Sequence, residues 1–500
     1  MKTMNYEIWF VTGSQNLYGE ETLRQVAEHS REMVERLNET AAFPVKLVWK
    51  PTVRSTEEIY NTMVDANGTA ACAGVVTWMH TFSPAKMWIA GLKVLSKPLL
   101  HFHTQFNKEI PWSTIDMDFM NLNQSAHGDR EFGHIVSRMR KPVKVVTGYW
   151  QEKETQKRID VWIRVAIAWA DSQVMKLARF GDNMNNVAVT DGDRVGAECR
   201  FGYHVDYAPI GDLVAYVEAV SKSDVDALVA EYEKLYAIAD NAKAGARDRE
   251  SVIQAARLEI GIQRYLDAGG YTAFTSNFDA LHGMHQLPGL ASQRLMAQGY
   301  GFAGEGDWKT AALVRTLKVM ANGLAGGTSF MEDYTYNFNG ADSTILQAHM
   351  LEVCPSIAQG QPRLEVHPLG IGGKADPARL VFDTASGDGV AATIVDMGGR
   401  FRMIANEVVC VQTPEPLPKL PVAQALWKPL PNLEVSASSW ILAGGTHHTA
   451  FSQALTSEYL VDYAEIADVE MLLIDDQTTI RGFKQEMRTG EVYYMLKNAF

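Results

Sequence analysis

The chain has 500 residues, 46% of them hydrophobic and 21% charged, a composition that fits two or three folded domains and excludes disorder along its length. Its 46 Lys and Arg face 59 Asp and Glu, for a net charge of −13, which argues against a partner held through a phosphate backbone. No apolar run approaches the ~20 residues of a membrane span: Ala73 to Met79 is too short, and Val161 to Ala170 is broken by Arg164.

The opening MKTMNYEIWF holds one Lys and no apolar stretch of signal-peptide length. Cys72, Cys199, Cys354 and Cys410 are scattered without a CxxC pair. Reduced thiols in a cytoplasmic protein, all four small buried side chains, are the expectation.

In chain order, the first third alternates short β-rich runs with helical patterns. Tyr6-Glu-Ile-Trp-Phe-Val-Thr, Val45-Lys-Leu-Val-Trp, Ala73-Gly-Val-Val-Thr-Trp, Pro98-Leu-Leu-His-Phe-His and Val143-Lys-Val-Val-Thr read as strands. Residues 21–37 and 84–95 read as helices between them. Such alternation predicts a parallel sheet covered on both faces, a doubly wound α/β domain over 1–177 closed by a long helix at about 151–177. A second α/β domain is expected over 178–327. It has strand-like runs at Asn186–Thr190, Gly202–Tyr207 and Tyr271–Thr275, and helices at 224–239 and 249–268. Residues 243–250 read either as a linker or as a solvated helix start. After Thr328 short strands separated by Gly, Pro and Asp dominate, including residues 363–367, 379–382, 390–396 and 401–404. That texture predicts a mostly β, barrel-like or sandwich domain over 328–500.

Gly299-Tyr-Gly301-Phe-Ala-Gly304 matches GxGxxG, but helical residues 291–298 precede it where a dinucleotide fingerprint needs a strand. GxxxxGK[ST], GxSxG, HExxH and CxxC are all missing, which counts against P-loop enzymes, serine hydrolases and the common zinc sites.

Chemistry concentrates later. In Gly304-Glu305-Gly306-Asp307-Trp308, Asp307 is placed to cap a helix whose apolar positions are Leu313, Leu317, Met320 and Leu324. Glu305 then lies in a glycine-flanked loop at that helix's start. From Thr328 to Phe338, one face at period two is Phe330, Glu332, Tyr334, Tyr336 and Phe338. Glu332 is the one charge in that aromatic row, so it must be ion-paired, ligate a cation or carry a raised pKa. His349 shares its alternate face with Ile345, Leu351 and Val353. In Trp440-Ile-Leu-Ala-Gly-Gly-Thr-His447-His448, a His pair is expected just past a strand and a Gly-Gly turn. Two carboxylates with one or two imidazoles suit a divalent ion such as Mn²⁺.

Several long stretches carry a family likeness: WFVTGSQNLYG (9–19), WMHTFSPAKMW (78–88), HFHTQFN (101–107), DMDFMNLNQSAHGDREFG (116–133), RFGDNM (179–184), QLPGLASQRLMAQGYGFAGEGDWKTAAL (286–313), GGTSFMEDYTY (326–336), HMLEVCPSI (349–357), HPLGIGGKADPARL (367–380) and WILAGGTHHT (440–449). Together they resemble L-arabinose isomerase from end to end.

The resemblance implies an aldose–ketose isomerase that converts L-arabinose to L-ribulose, and D-galactose to D-tagatose, through an enediol. It implies a fold of two α/β domains and a β-barrel-like third, as in L-fucose isomerase, and a cytoplasmic homohexamer of two trimers. It also implies one Mn²⁺ per subunit on Glu305, Glu332, His349 and His448, with His448 rather than His447 the ligand and the two glutamates as acid and base. By the same likeness the sugar pocket is Gln15, Leu17, Phe82, His127, Met184, Phe278 and Tyr334, the N-terminal members reaching a neighbouring subunit's site. Neither membrane nor nucleic acid is expected as a partner.

Overall fold

The apolar runs of the first third become strands β1 (Glu7–Gly13), β2 (Lys46–Trp49), β3 (Cys72–Met79), β4 (Leu99–His103) and β5 (Lys144–Thr147). In the computed structural model they form one all-parallel sheet of order β2-β1-β3-β4-β5. The order reverses between β1 and β3, the switch point of a doubly wound sheet. Every residue of β3 is buried, the pattern of a parallel strand covered on both faces. Residues 5–370 and 373–499 are described; Met1–Met4 of the opening, and Ile371 and Gly372 of HPLGIGGKADPARL, lie outside the described residues. The chain divides into two compact units, Thr3–Ala170 and Asp171–Phe500.

In the second unit, β6 (Lys176–Phe180), β7 (His204–Ala208), β8 (Ala273–Ser276) and β9 (Gly301–Gly304) form a parallel sheet of order β9-β8-β6-β7. The helix Trp308–Met320 follows β9 and is buried at every residue. Strands β10 (Thr328–Asn337), β11 (Thr344–Ala348), β12 (Gly387–Asp396), β13 (Phe401–Val411), β14 (Gln424–Pro429), β15 (His448–Ser452) and β16 (Glu470–Ile474) build the last sheet. Six of them pair in the order β12-β15-β10-β11-β14-β13, and β13 pairs back onto β12, so the ring closes as a small antiparallel barrel with β16 added parallel to β13. Parallel sheets followed by a mostly strand-built C-terminal part agree with the predicted α/β class.

Four local expectations are corrected. The long helix is Lys153–Ser172, and residues 176–180 are β6, because the turn from Asp171 O to Val174 N ends the helix first. Asn186–Thr190 is not a strand: Asn186 has φ 66 and Ala188–Thr190 is a 3₁₀ turn. Trp440 lies on the helix Leu433–Leu442, so the His pair follows a helix and opens β15. Cys72, Cys354 and Cys410 are buried but Cys199 is exposed, so burial does not extend to all four thiols. The GxGxxG match is entered from the helix Gly289–Ala297 and contains β9 itself, which is no dinucleotide turn. Among the described residues no helix is long and apolar enough to cross a membrane.

Candidate metal centre

Strand pairing assembles most of the centre. On β10, Glu332 stands opposite His448, the first residue of β15, and opposite Ala348, the last residue of β11. His349 follows Ala348 directly, so three neighbouring strands bring Glu332, His349 and His448 side by side. Glu305 arrives from the other sheet, in the two-residue step between β9 and Asp307, the cap of the Trp308–Met320 helix. Asp307 accepts from Thr310 N at 3.2 Å, as the capping pattern predicts.

The side chains converge. His349 Nε2 lies 3.6 Å from Glu332 Oε2, and His448 Nε2 lies 3.9 Å from Glu305 Oε2. His447 straddles the carboxylates, its Nε2 3.7 Å from Glu305 and 4.0 Å from Glu332. Among the described residues, Glu305, His447 and His448 place ligand atoms within 4.8 Å of one another. Phe330 packs beneath, its ring centroid 4.8 Å from that of His349 and 5.0 Å from that of His448. Gly304 leaves the space this needs: a Cβ there would sit 3.2 Å from His349 Nε2.

Two further carboxylates orient the imidazoles. His448 Nδ1 donates to Asp307 Oδ2 at 3.0 Å, and His349 Nδ1 pairs with Glu352. Each contact fixes the ring so that Nε2 faces the glutamates. Burial would raise the Asp307 carboxyl, but the His448 hydrogen bond and the Lys309 charge outweigh it and hold it at about 2. His447 keeps Glu305 below the ordinary carboxylate range. Burial would lower the His349 imidazole, but Glu352, Glu332 and Glu305 carry it up to about 9. The cluster attracts positive charge. His448 Nε2 is buried and has no hydrogen-bond partner, although it points among acceptors and imidazoles. A buried nitrogen of that kind needs a partner, and a divalent ion taking carboxylate oxygen and imidazole nitrogen fits the donor set.

The aromatic row differs from its sequence reading. Phe330 is buried, but Tyr334 and Phe338 are 45% and 79% exposed. An irregularity between Asp333 and Thr335 breaks the period-two pattern where pairing with β15 has ended and β11 continues beside β10. Phe330 alone supplies the apolar floor, while Asp333, on the other face, is half-buried. Burial pushes its carboxyl up to about 6, against the hydrogen bond from Gln347.

Most of the candidate sugar-pocket residues follow strand ends, while Tyr334 lies within β10 and His127 on the helix Ser125–Arg138. Met184 N donates to Glu305 O at 3.0 Å, and Tyr334 is two residues beyond Glu332 on β10. Phe278 opens a 3₁₀ turn directly after β8. In the first unit, Gln15 and Leu17 follow β1, Phe82 follows β3, and the Phe82 ring stacks on His127 at 4.5 Å. Leu17 is 82% exposed. Sequence reasoning missed Glu352 and the second task of Asp307; a carboxylate three residues from a candidate His was the available signal for Glu352.

Comparison with known proteins covers nearly the whole chain. Residues 2–174 match the L-arabinose isomerase N-terminal domain, 176–323 the central domain and 327–470 the C-terminal domain. The L-arabinose isomerases of Herpetosiphon aurantiacus and Pectobacterium atrosepticum are each 58% identical over 491 residues, 98% of this chain and 98% of theirs. That of Yersinia pseudotuberculosis is similar to the same degree, 58% over 98% of both chains. A periplasmic sugar-binding protein of an ABC transporter from Legionella pneumophila aligns with 64% of this chain and 95% of its own, at 11% identity and a TM-score of 0.15, too low to bear on the fold. With all three domain types matched in order along one chain, the protein belongs to the L-arabinose isomerase family and is an isomerase.

Proposed function

We propose that the protein interconverts L-arabinose and L-ribulose, and also D-galactose and D-tagatose, through an enediol, with Mn²⁺ held by Glu305, Glu332, His349 and His448. The observation that carries this reading is the buried, unpartnered His448 Nε2 set beside Glu305 with Glu332 on the neighbouring strand. Relatives named L-arabinose isomerase at 58% identity support the substrate. The parallel sheets and strand-built C-terminal part support an L-fucose isomerase-like architecture.

Moving hydrogen from C2 to C1 requires a base that takes a proton beside a carbonyl and returns it one carbon along. When bound, a divalent ion supplies Lewis-acid polarisation and a template for the two sugar oxygens. Glu305 and Glu332 divide the proton work: one carboxylate serves the carbon-bound proton and the other the hydroxyl proton. His447 Nε2, 3.7 Å from Glu305 and 4.0 Å from Glu332, stands where it can act electrostatically on both carboxylates. Asp307 and Glu352 hold the rings of His448 and His349 with their Nε2 atoms inward. Met184, Phe278 and Tyr334 bound the sugar on this side. Gln15, Leu17, Phe82 and His127 complete the pocket from a neighbouring copy, in a cytoplasmic homohexamer of two trimers.

The test is turnover of an aldose panel with added Mn²⁺. L-arabinose should give the highest kcat/KM, above D-galactose and L-fucose. A clear preference for L-fucose, or binding of sugars without any turnover, would overturn the reading. Solvent-hydrogen incorporation at C1 separates proton transfer from a hydride shift, which leaves the carbon-bound hydrogen unexchanged.

A further inference from the structure

We infer that Asn183 is a positioning residue for Glu305, clamping it in a left-handed backbone conformation that presents its carboxylate; the inference rests on the functional role proposed for Glu305. Glu305 has φ 62 and Gly306 φ 81, two successive residues in the region that disfavours side chains. A non-glycine residue stays there only when its surroundings over-determine it.

The surroundings are the carboxyl ends of three parallel strands. From the loop after β6, Met184 N donates to Glu305 O at 3.0 Å, and Asn183 Nδ2 donates to Gly306 O at 3.1 Å. From the end of β8, Gly306 N donates to Ser276 O at 3.3 Å, and Asn277 Nδ2 donates to Asn183 O at 3.3 Å. Asn183 itself is gripped on both sides: Nδ2 also donates to Thr190 O, and Oδ1 accepts from Arg179. Arg179 reaches Asp182 as well, at 2.7 Å. The fit is close, since a Cβ on Gly306 would lie 2.6 Å from Asn183 Cα.

The Asn183 amide thus ties Gly306 O to Thr190 O in the turn after β6. Without its amide, the Gly306–Asp307 peptide loses its anchor one residue beyond the strained Glu305, and the backbone can relax toward negative φ. The carboxylate would swing away from His448. Asn183 is not among the residues proposed to bound the sugar, so its effect passes through Glu305.

The test compares Asn183→Ala with the native protein, each alone and combined with Glu305→Gln. Asn183→Asp is the second variant, because it keeps the Arg179 acceptor and deletes the donor, and it serves if the alanine variant does not fold. Calorimetric titration of Mn²⁺ into chelator-stripped protein should show the dissociation constant raised about 10–100-fold in the single variant, the range expected for loss of a group that orients a ligand. kcat at saturating Mn²⁺ should fall about tenfold or more while the melting temperature of the stripped protein stays near native. In the Glu305→Gln background, adding Asn183→Ala should cost little more, because residues acting as one unit are non-additive. Unchanged Mn²⁺ affinity and kcat, or a loss of full size in the double variant, would overturn the inference. Native activity of Glu305→Gln alone would instead remove the functional role of Glu305, a separate failure, and the Mn²⁺ titration of Asn183→Ala would still decide whether the clamp places that carboxylate.

Discussion

His448 Nδ1 lies 3.0 Å from Asp307 Oδ2, and the same carboxylate caps the Trp308–Met320 helix through Thr310 N. One buried side chain therefore joins the barrel strand β15 to the helix that follows the central sheet, and fixes which nitrogen of His448 is left with a lone pair.

Asp307→Asn separates these two tasks. Asparagine caps helices as well as aspartate does, so the fold should hold. Its amide, however, would offer a donor where His448 Nδ1–H now donates, and would turn the ring toward the wrong tautomer. The Mn²⁺ dissociation constant should rise about 10–100-fold, with little change in the melting temperature of the stripped protein. Calorimetric titration at neutral pH measures both the binding and, against Asp307→Ala, the share due to the cap.

Metal removal should abolish activity, and Mn²⁺ should restore it better than Mg²⁺, because imidazole ligands suit the softer ion. The pH dependence has a definite sign. His349 is carried up to about 9 by Glu352, Glu332 and Glu305 despite its burial. At neutral pH a cation must therefore displace a proton from that ring, and apparent affinity should weaken as pH falls from 8 to 6. Proton release measured on Mn²⁺ binding in two buffers checks this. Full activity after chelation, with metal absent by elemental analysis, would refute the dependence.

How much of this was legible in the sequence follows from range. Glu305 and Asp307 declare themselves locally: glycines on both sides of the first, and helix periodicity after the second. Strand β10 was readable because ten residues of one sheet pattern surround Glu332. The pairing of Glu332 with His448 was not, since 115 positions of chain lie between them and only barrel register sets them opposite. The aromatic row misled for a related reason: period two predicts a shared face, not burial, and β10 loses its β15 neighbour after Glu332. Likewise Lys176 and Leu177, the start of β6, looked like a helix tail because apolar residues there suit either period. The four metal-centre residues came from resemblance as a set; their geometry came from topology.

Assembly can be tested on the first unit. Trp112, Met117 and Met120 are 80%, 66% and 52% exposed within one short stretch, an apolar surface of the kind that marks an interface. A homohexamer is expected, with sites completed between copies. Light scattering should give about six times the 55.4 kDa chain mass, and Trp112→Asp should shift it toward smaller species with lower activity. A fully active 55.4 kDa monomer would end the shared-site proposal.

The last prediction separates ligation from proton transfer at Glu305 and Glu332. Replacing either by Gln keeps its size and one acceptor oxygen but removes the charge and the ability to take a proton. If a glutamate only ligates, excess Mn²⁺ should recover most of the rate. If it also moves protons, kcat should stay low at saturating metal, by the ~10²–10⁴-fold typical of general acid–base groups, or roughly 3–5 kcal/mol of barrier. The double variant should lose less than the sum of the two single losses. His448→Asn should cost more than His447→Asn, because His448 is wholly buried with Nε2 unpartnered, whereas His447 is 36% exposed and rests against both carboxylates from outside. The decisive measurement is kcat for each variant at saturating Mn²⁺ and L-arabinose, with bound metal counted. Near-native turnover by Glu332→Gln under those conditions would leave that carboxylate a ligand and place the proton chemistry on Glu305.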